Sequence, residues 1–219
     1  MTEHKQALRR CYLSVLVAVP LLTACACNSG SRAKANSDSG DGIDMASAVM
    51  CIGDRVNNPA EAFHYSYKYL DATGPVRDDE ADITPQTMDI SVQDKSGSHK
   101  YHGIRSDEGS WSSAVSDLGH LGFTAMTGRL VPLQATSAIA QQGSESINGY
   151  STTKYAIDTE NAGSADKKKI QTLLGNGSFE KGTAWIAADG CAAKLVLDEG
   201  IWRDGSINKD HFEIARVKK

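Results

Sequence analysis

Residues 63–69, Phe-His-Tyr-Ser-Tyr-Lys-Tyr, place four aromatic side chains at alternate positions with polar side chains between them. Successive side chains of a strand point to opposite faces, so this stretch reads as a strand with one face for a core and one for water. Residues 87–93 repeat the pattern: Met88, Ile90 and Val92 alternate with Thr87, Asp89, Ser91 and Gln93. Further strands are expected at 99–105, at 110–115 and, as one long β-branched run, at 147–157. Residues 183–188 and 191–197 flank Asp189-Gly190, a pair that supplies the positive φ angles of a two-residue hairpin turn. A last strand is expected at 211–217. Two short helices complete the reading. One spans 132–142, with Pro132 in its first turn and Gly143 past its end. The other, ADKKKIQTLL, is capped by Ser164, stopped by Gly175, and carries Ile170, Leu173 and Leu174 on one face. The fold class is therefore mainly β (α+β): a curved antiparallel sheet or open half-barrel with a few short helices packed on one face.

The 219 residues are 40% hydrophobic and 23% charged with a net charge of −4, the profile of an ordinary folded chain with room for one core. Residues 1–24 show a basic start (Lys5, Arg9, Arg10), an apolar stretch at 11–24, and small residues before Cys25, which is the layout of a signal peptide. The apolar stretch holds Pro20 and falls short of the ~20 residues that a membrane-spanning helix needs. Removing this segment takes away three basic side chains and one acidic one and leaves about −6, which argues against nucleic acid as a partner. Residues 28–44 are Ser, Gly, Asn and Asp with almost nothing to bury, so 25–44 is expected to be a flexible tether and 45–219 a single β-rich domain.

Leu22-Thr23-Ala24-Cys25 resembles the lipobox of bacterial lipoproteins. The resemblance implies cleavage between Ala24 and Cys25 and attachment of diacylglycerol to the Cys25 sulfur, the thiol being the nucleophile for the thioether. Several acyl chains anchor firmly, at about 0.8 kcal/mol per buried CH₂. A conventional secretory cut near Ala26 is the alternative. The residue after Cys25 is Ala26 rather than aspartate, which for a host resembling the enteric bacteria implies the outer membrane, facing the periplasm.

Once Cys11 leaves with the signal and Cys25 takes lipid, Cys27, Cys51 and Cys191 remain. Cys27 lies in the tether, so a Cys51–Cys191 disulfide is expected; two free thiols or a pairing through Cys27 are the alternatives. The residues show no nucleophile elbow, no zinc-protease helix, no phosphate-binding glycine loop and no Cys-x-x-Cys pair, and no catalytic residue, metal or cofactor is assigned. His99 and His102 are three apart on an expected strand and point to opposite faces, so they do not share an ion. Arg105-Ser106-Asp107-Glu108-Gly109 reads as a turn, and Lys167, Lys168 and Lys169 as a solvated helix face.

The succession INGYSTTKYAID, a short helix, GTAWIAADG and CAAKLVLD over residues 145–217 resembles the carboxyl-terminal half of the LolA/LolB/LppX-like lipoprotein carriers. That resemblance implies a non-enzymatic protein whose concave apolar sheet surface holds acyl chains. Phe63, Tyr65, Tyr67, Tyr69, Met88, Ile90 and Val92 could form such a face, with Trp111, Trp185 and Ile214 extending it. The same side chains could equally close as a core, in which case the domain would dock onto an envelope protein complex and take no small ligand.

Overall fold

A computed structural model describes residues 43–116 and 136–219. Its elements in chain order are α1 (Met45–Asn57), β1 (Phe63–Asp71), β2 (Gly74–Ile83), β3 (Thr87–Asp94), β4 (Gly97–Ile104), a 3₁₀ turn (Thr136–Ala138), β5 (Ile139–Ile147), β6 (Tyr150–Asp158), α2 (Ser164–Leu174), β7 (Phe179–Ala187), β8 (Ala192–Arg203) and β9 (Ser206–Lys218). The nine strands form one antiparallel sheet in the order β4-β3-β2-β1-β9-β8-β7-β6-β5. First and last strands meet at its centre, and β4 and β5 are its edges, so the sheet is curved and open rather than a closed barrel.

The alternation at 63–69 does what its period demands. Phe63, Tyr65 and Tyr67 are buried, as are Met88, Ile90 and Val92 on β3, while the intervening side chains face outward. Between these strands runs β2, which the sequence reading leaves out. Its Pro75 and four acidic residues have low β propensity, but Asp79, Ala81 and Ile83 alternate inward and its pairing on both sides overrides that preference.

Helix α1 is also absent from the sequence reading. Asp44 caps it by accepting from the Ser47 N–H at 3.1 Å, and Met45, Ala48, Val49, Ile52 and Val56 form the buried stripe that joins the sheet's core. The segment 110–115 is not a strand. Only an Arg105–Trp111 bridge forms there, because Trp111 Nε1 donates to the Val56 carbonyl at 3.0 Å and Arg105 to Asn58 Oδ1 at 2.9 Å, tying the Arg105–Gly109 turn to the end of α1.

The expected helix at 132–142 falls partly outside the described residues; from Ile139 onward the chain is β5, with Gly143 at a bulge instead of a helix end. The single strand expected at 147–157 is a hairpin. Asn148 and Gly149 adopt φ of 55° and 81°, the two-residue turn for which Asn-Gly is suited, and Ile147 pairs with Tyr150. Asp189-Gly190 makes a longer connection than expected: Ala187 bonds Cys191 across three residues, of which only Gly190 has positive φ. The two-residue turn lies at Asp204-Gly205, with φ of 51° and 84°, and joins the longer β8 and β9. Gly163, not Ser164, caps α2, and α2 packs Ile170 with Ala138 in a small cluster apart from the main core.

Gly182 sets a close approach between β7 and β8. A Cβ there would overlap the Val196 carbonyl oxygen and lie 3.0 Å from Leu197 Cα. Because backbone cannot rotate aside as a side chain can, Gly182→Ala is expected to cost about 2 kcal/mol or more, seen as a lower urea midpoint with unchanged slope.

Candidate functional site

The inner face of the sheet gathers the aromatic and aliphatic residues of β1 and β3 with Ile83, Leu195, Leu197 and Ile214 into one cluster beneath α1. Of the side chains expected to form this face, Phe63, Tyr65, Tyr67, Met88, Ile90, Val92 and Ile214 lie on it, and Tyr69 stacks on Phe212 with ring centroids 4.8 Å apart. Trp111 packs against its border. Trp185 does not belong to it. On β7 its neighbours Ala184 and Ile186 belong to the buried cluster, so alternation turns Trp185 to the other face, where Lys154 and Lys194 flank its ring at 5.4 and 5.6 Å and its Nε1 donates to Glu145 at 2.6 Å.

Cys51 on α1 and Cys191 after β7 are joined as a disulfide, with Cα atoms 5.1 Å apart. Beside it Asp189 accepts two hydrogen bonds from the buried Arg216, at 2.9 and 3.0 Å, and Arg55 of α1 approaches at 3.5 Å. Burial opposes ionisation of Asp189, but the Arg216 hydrogen bonds and charge outweigh it and hold the carboxyl below its ordinary value. The Arg216 guanidinium also sits 4.3 Å from the centroid of the Tyr150 ring. Cys25 and Ala24 lie outside the described residues.

A feature with no motif behind it sits at the other end of the same face. Glu180, Glu199 and Asp210 stand side by side on β7, β8 and β9, paired by register, and all three are buried. Thr159 holds the Glu180 backbone, accepting from its N–H at 2.7 Å and donating to its carbonyl at 3.2 Å. Among the described residues neither Glu180 carboxyl oxygen has a hydrogen-bond partner. Loss of water, and then repulsion from Glu199, push this carboxyl up to about 8, so it carries a proton at neutral pH. A protonated carboxyl in an apolar face can donate one hydrogen bond and accept others.

The outer face is polar. Across β1 to β4 the residues His64, Asp82, Asp89 and His102 form one cross-strand row, with His64 2.7 Å from Asp82 and His102 2.6 Å from Asp89, along an open concavity of about 370 Å³. His99 instead meets Ser96 at 3.0 Å. Among the described residues no group of three His, Cys, Asp or Glu side chains is arranged to hold a metal ion, and no helix is long and apolar enough to cross a membrane.

No protein-family model matches the chain, and no curated protein does. Among solved structures the chain is similar to the lipoprotein LppX of Mycobacterium tuberculosis, at 17% identity and a TM-score of 0.37 over 78% of this chain and 92% of that one. LprF of Mycobacterium bovis gives 15% and 0.33 over 78% and 91%, and MucB in complex with MucA(peri) gives 12% and 0.32 over 80% and 56%. Superpositions as loose as these do not fix a shared function.

Proposed function

We propose that the chain is an exported lipoprotein, cleaved before Cys25 and anchored to the cell envelope through lipid on that residue, whose domain at 45–219 binds an apolar ligand and carries out no chemistry on it. The observation that carries the binding reading is the extent of the apolar face. Buried apolar side chains come from seven neighbouring strands, β3 through β6 in sheet order, which at about 4.8 Å spacing span roughly 30 Å, whereas one helix is about 10 Å across, and α1 is the one helix among the described residues that joins this core. Glu180 adds a protonated polar group to the same face, which suits an amphiphile with an acyl body and a hydrogen-bonding head. The anchoring is supported by the signal layout and the Leu22-Thr23-Ala24-Cys25 junction.

A second reading rests on the packing. Tyr65, Ile83 and Met88 are 0% exposed, as in a closed core, and a domain of that kind would dock onto an envelope protein complex without a small ligand. Native mass spectrometry of the full chain carrying Cys25→Ala separates the two: a retained lipid mass supports the binder, and a bare polypeptide mass supports the docking protein. Fractionation of the same cells tests the anchor. Wild type is expected in the membrane pellet with incorporated palmitate and the Cys25→Ala chain in the soluble fraction; equal distribution of both would overturn the anchoring.

A further inference from the structure

Two of the large exposed apolar side chains among the described residues lie on segments that meet at the Gly175 turn. Leu173, on the last turn of α2, is 52% exposed, and Trp202, near the end of β8, is 46% exposed. Ser178 ties the two backbones, its hydroxyl donating to the carbonyl of Leu174, the residue after Leu173, at 2.7 Å and accepting from the Trp202 N–H at 3.0 Å. Trp202 also lies against the Gly175 turn that ends α2, since a Cβ on Gly175 would stand 3.1 Å from Trp202 Cβ. The juxtaposition is therefore built into the fold.

The same two elements carry exposed basic side chains. Lys167, Lys168 and Lys169 are exposed on α2, and Arg203 and Lys209 are exposed on the β8–β9 hairpin, against Asp166 and Asp204. Asp166 is engaged by the Ser137 N–H and hydroxyl at 3.0 and 2.5 Å. A chain of net charge −4 thus concentrates a net positive rim around an exposed tryptophan and leucine. An exposed indole and leucine on elements that also present exposed Lys and Arg suit the interface of a bilayer, where Trp settles at the headgroups and each nearby Lys or Arg is drawn to anionic lipid.

We infer that the rim formed by the end of α2 and the β8–β9 hairpin docks on the surface of an anionic phospholipid membrane, independently of any lipid on Cys25. Co-sedimentation of the full chain carrying Cys25→Ala with phosphatidylcholine vesicles, with and without about 30% phosphatidylglycerol, tests it. Binding is expected to be at least tenfold stronger with phosphatidylglycerol, to weaken as salt rises, and to fall about tenfold in Leu173→Ser/Trp202→Ala. Lys168→Glu/Lys169→Glu, which alters only exposed positions on the helix, should abolish the phosphatidylglycerol-dependent part while leaving the melting temperature within 2 °C. Equal binding to both vesicle types, or a charge-reversed chain that still prefers phosphatidylglycerol, would overturn the inference; the second outcome points to another basic surface. Trp185→Phe, on the Lys154–Lys194 patch, is the matched control and should bind like its parent.

Discussion

Breaking the Cys51–Cys191 disulfide is expected to destabilise the domain by about 4–5 kcal/mol, because the bond closes a loop whose ends are 140 residues apart and an open chain recovers that closure entropy on unfolding. This is the upper end of what a cross-link delivers, and it is large against the 5–15 kcal/mol that holds most domains folded. The melting temperature should fall by roughly 10–20 °C in Cys51→Ser, in Cys191→Ser and in the double substitution alike. Near-equality of the three is the sharper test, since one bond is lost in each. Calorimetry of the oxidised protein with and without reductant gives the same quantity without mutation. A shift under about 2 °C would mean that the helix is held by its apolar stripe and the Arg55–Asp189–Arg216 group, with the disulfide adding nothing.

The parts of the fold legible in the sequence were those where one residue type answers one physical demand. Alternation at 63–69 and 87–93 found β1 and β3 because period 2 has no other use, and the strands around Asp189-Gly190 were found because turn residues bracket them. Helix α1 is legible in the sequence, since Asp44 and the apolar positions 45, 48, 49, 52 and 56 carry the cap and the 3–4 spacing of a helix, although the polar stretch before them has neither. Asn148-Gly149 and Asp204-Gly205 were equally readable, and both are the two-residue turns that Asp189-Gly190 is not. Strand β2 was beyond this kind of reading, since four acidic residues and Pro75 become a strand only when β1 and β3 pair with both of its edges. For the candidate site the aromatic stripe was visible, but its partner across the sheet was not. Trp185 was grouped with the face by its chemistry, although its phase against Ala184 and Ile186 places it outside. That same phase carries inward to Glu180, a carboxylate on the apolar side that no composition or motif would single out.

Glu180→Gln is expected to remove most of the protein's loss of stability as pH rises. The folded carboxyl titrates at about 8, while the unfolded chain releases its proton near the ordinary glutamate value of 4.5. Between those values the native state holds a proton that the unfolded state has lost, so stability falls as pH rises, by about 1.4 kcal/mol per unit, and the favourable contribution is fully present only below 4.5. Asp82, Asp94 and Asp158 oppose this trend, but hydrogen bonds place their titration below the ordinary aspartate value, outside the window. Burial opposes protonation of His211, but hydrogen bonds with Asp198 and Glu213 hold its titration above the ordinary value of 6.5, so it adds a decline of the same sign within this window. Urea unfolding at pH 5, 6, 7 and 8 should therefore show wild type losing roughly 3 kcal/mol more across the series than Glu180→Gln, the amide keeping the shape without the Glu180 titration. Curves that run parallel would show that Glu180 ionises as easily inside the protein as out of it, which its burial and missing partners oppose. Glu199→Gln should lower the midpoint of the Glu180 titration only in part, because repulsion is the lesser cause and loss of water the greater. A buried group that costs stability at neutral pH persists more readily if something else gains from it, and an amphiphile's head bonded to the Glu180 carboxyl would gain: a Glu180→Leu chain should then be more stable yet retain less lipid than Glu180→Gln.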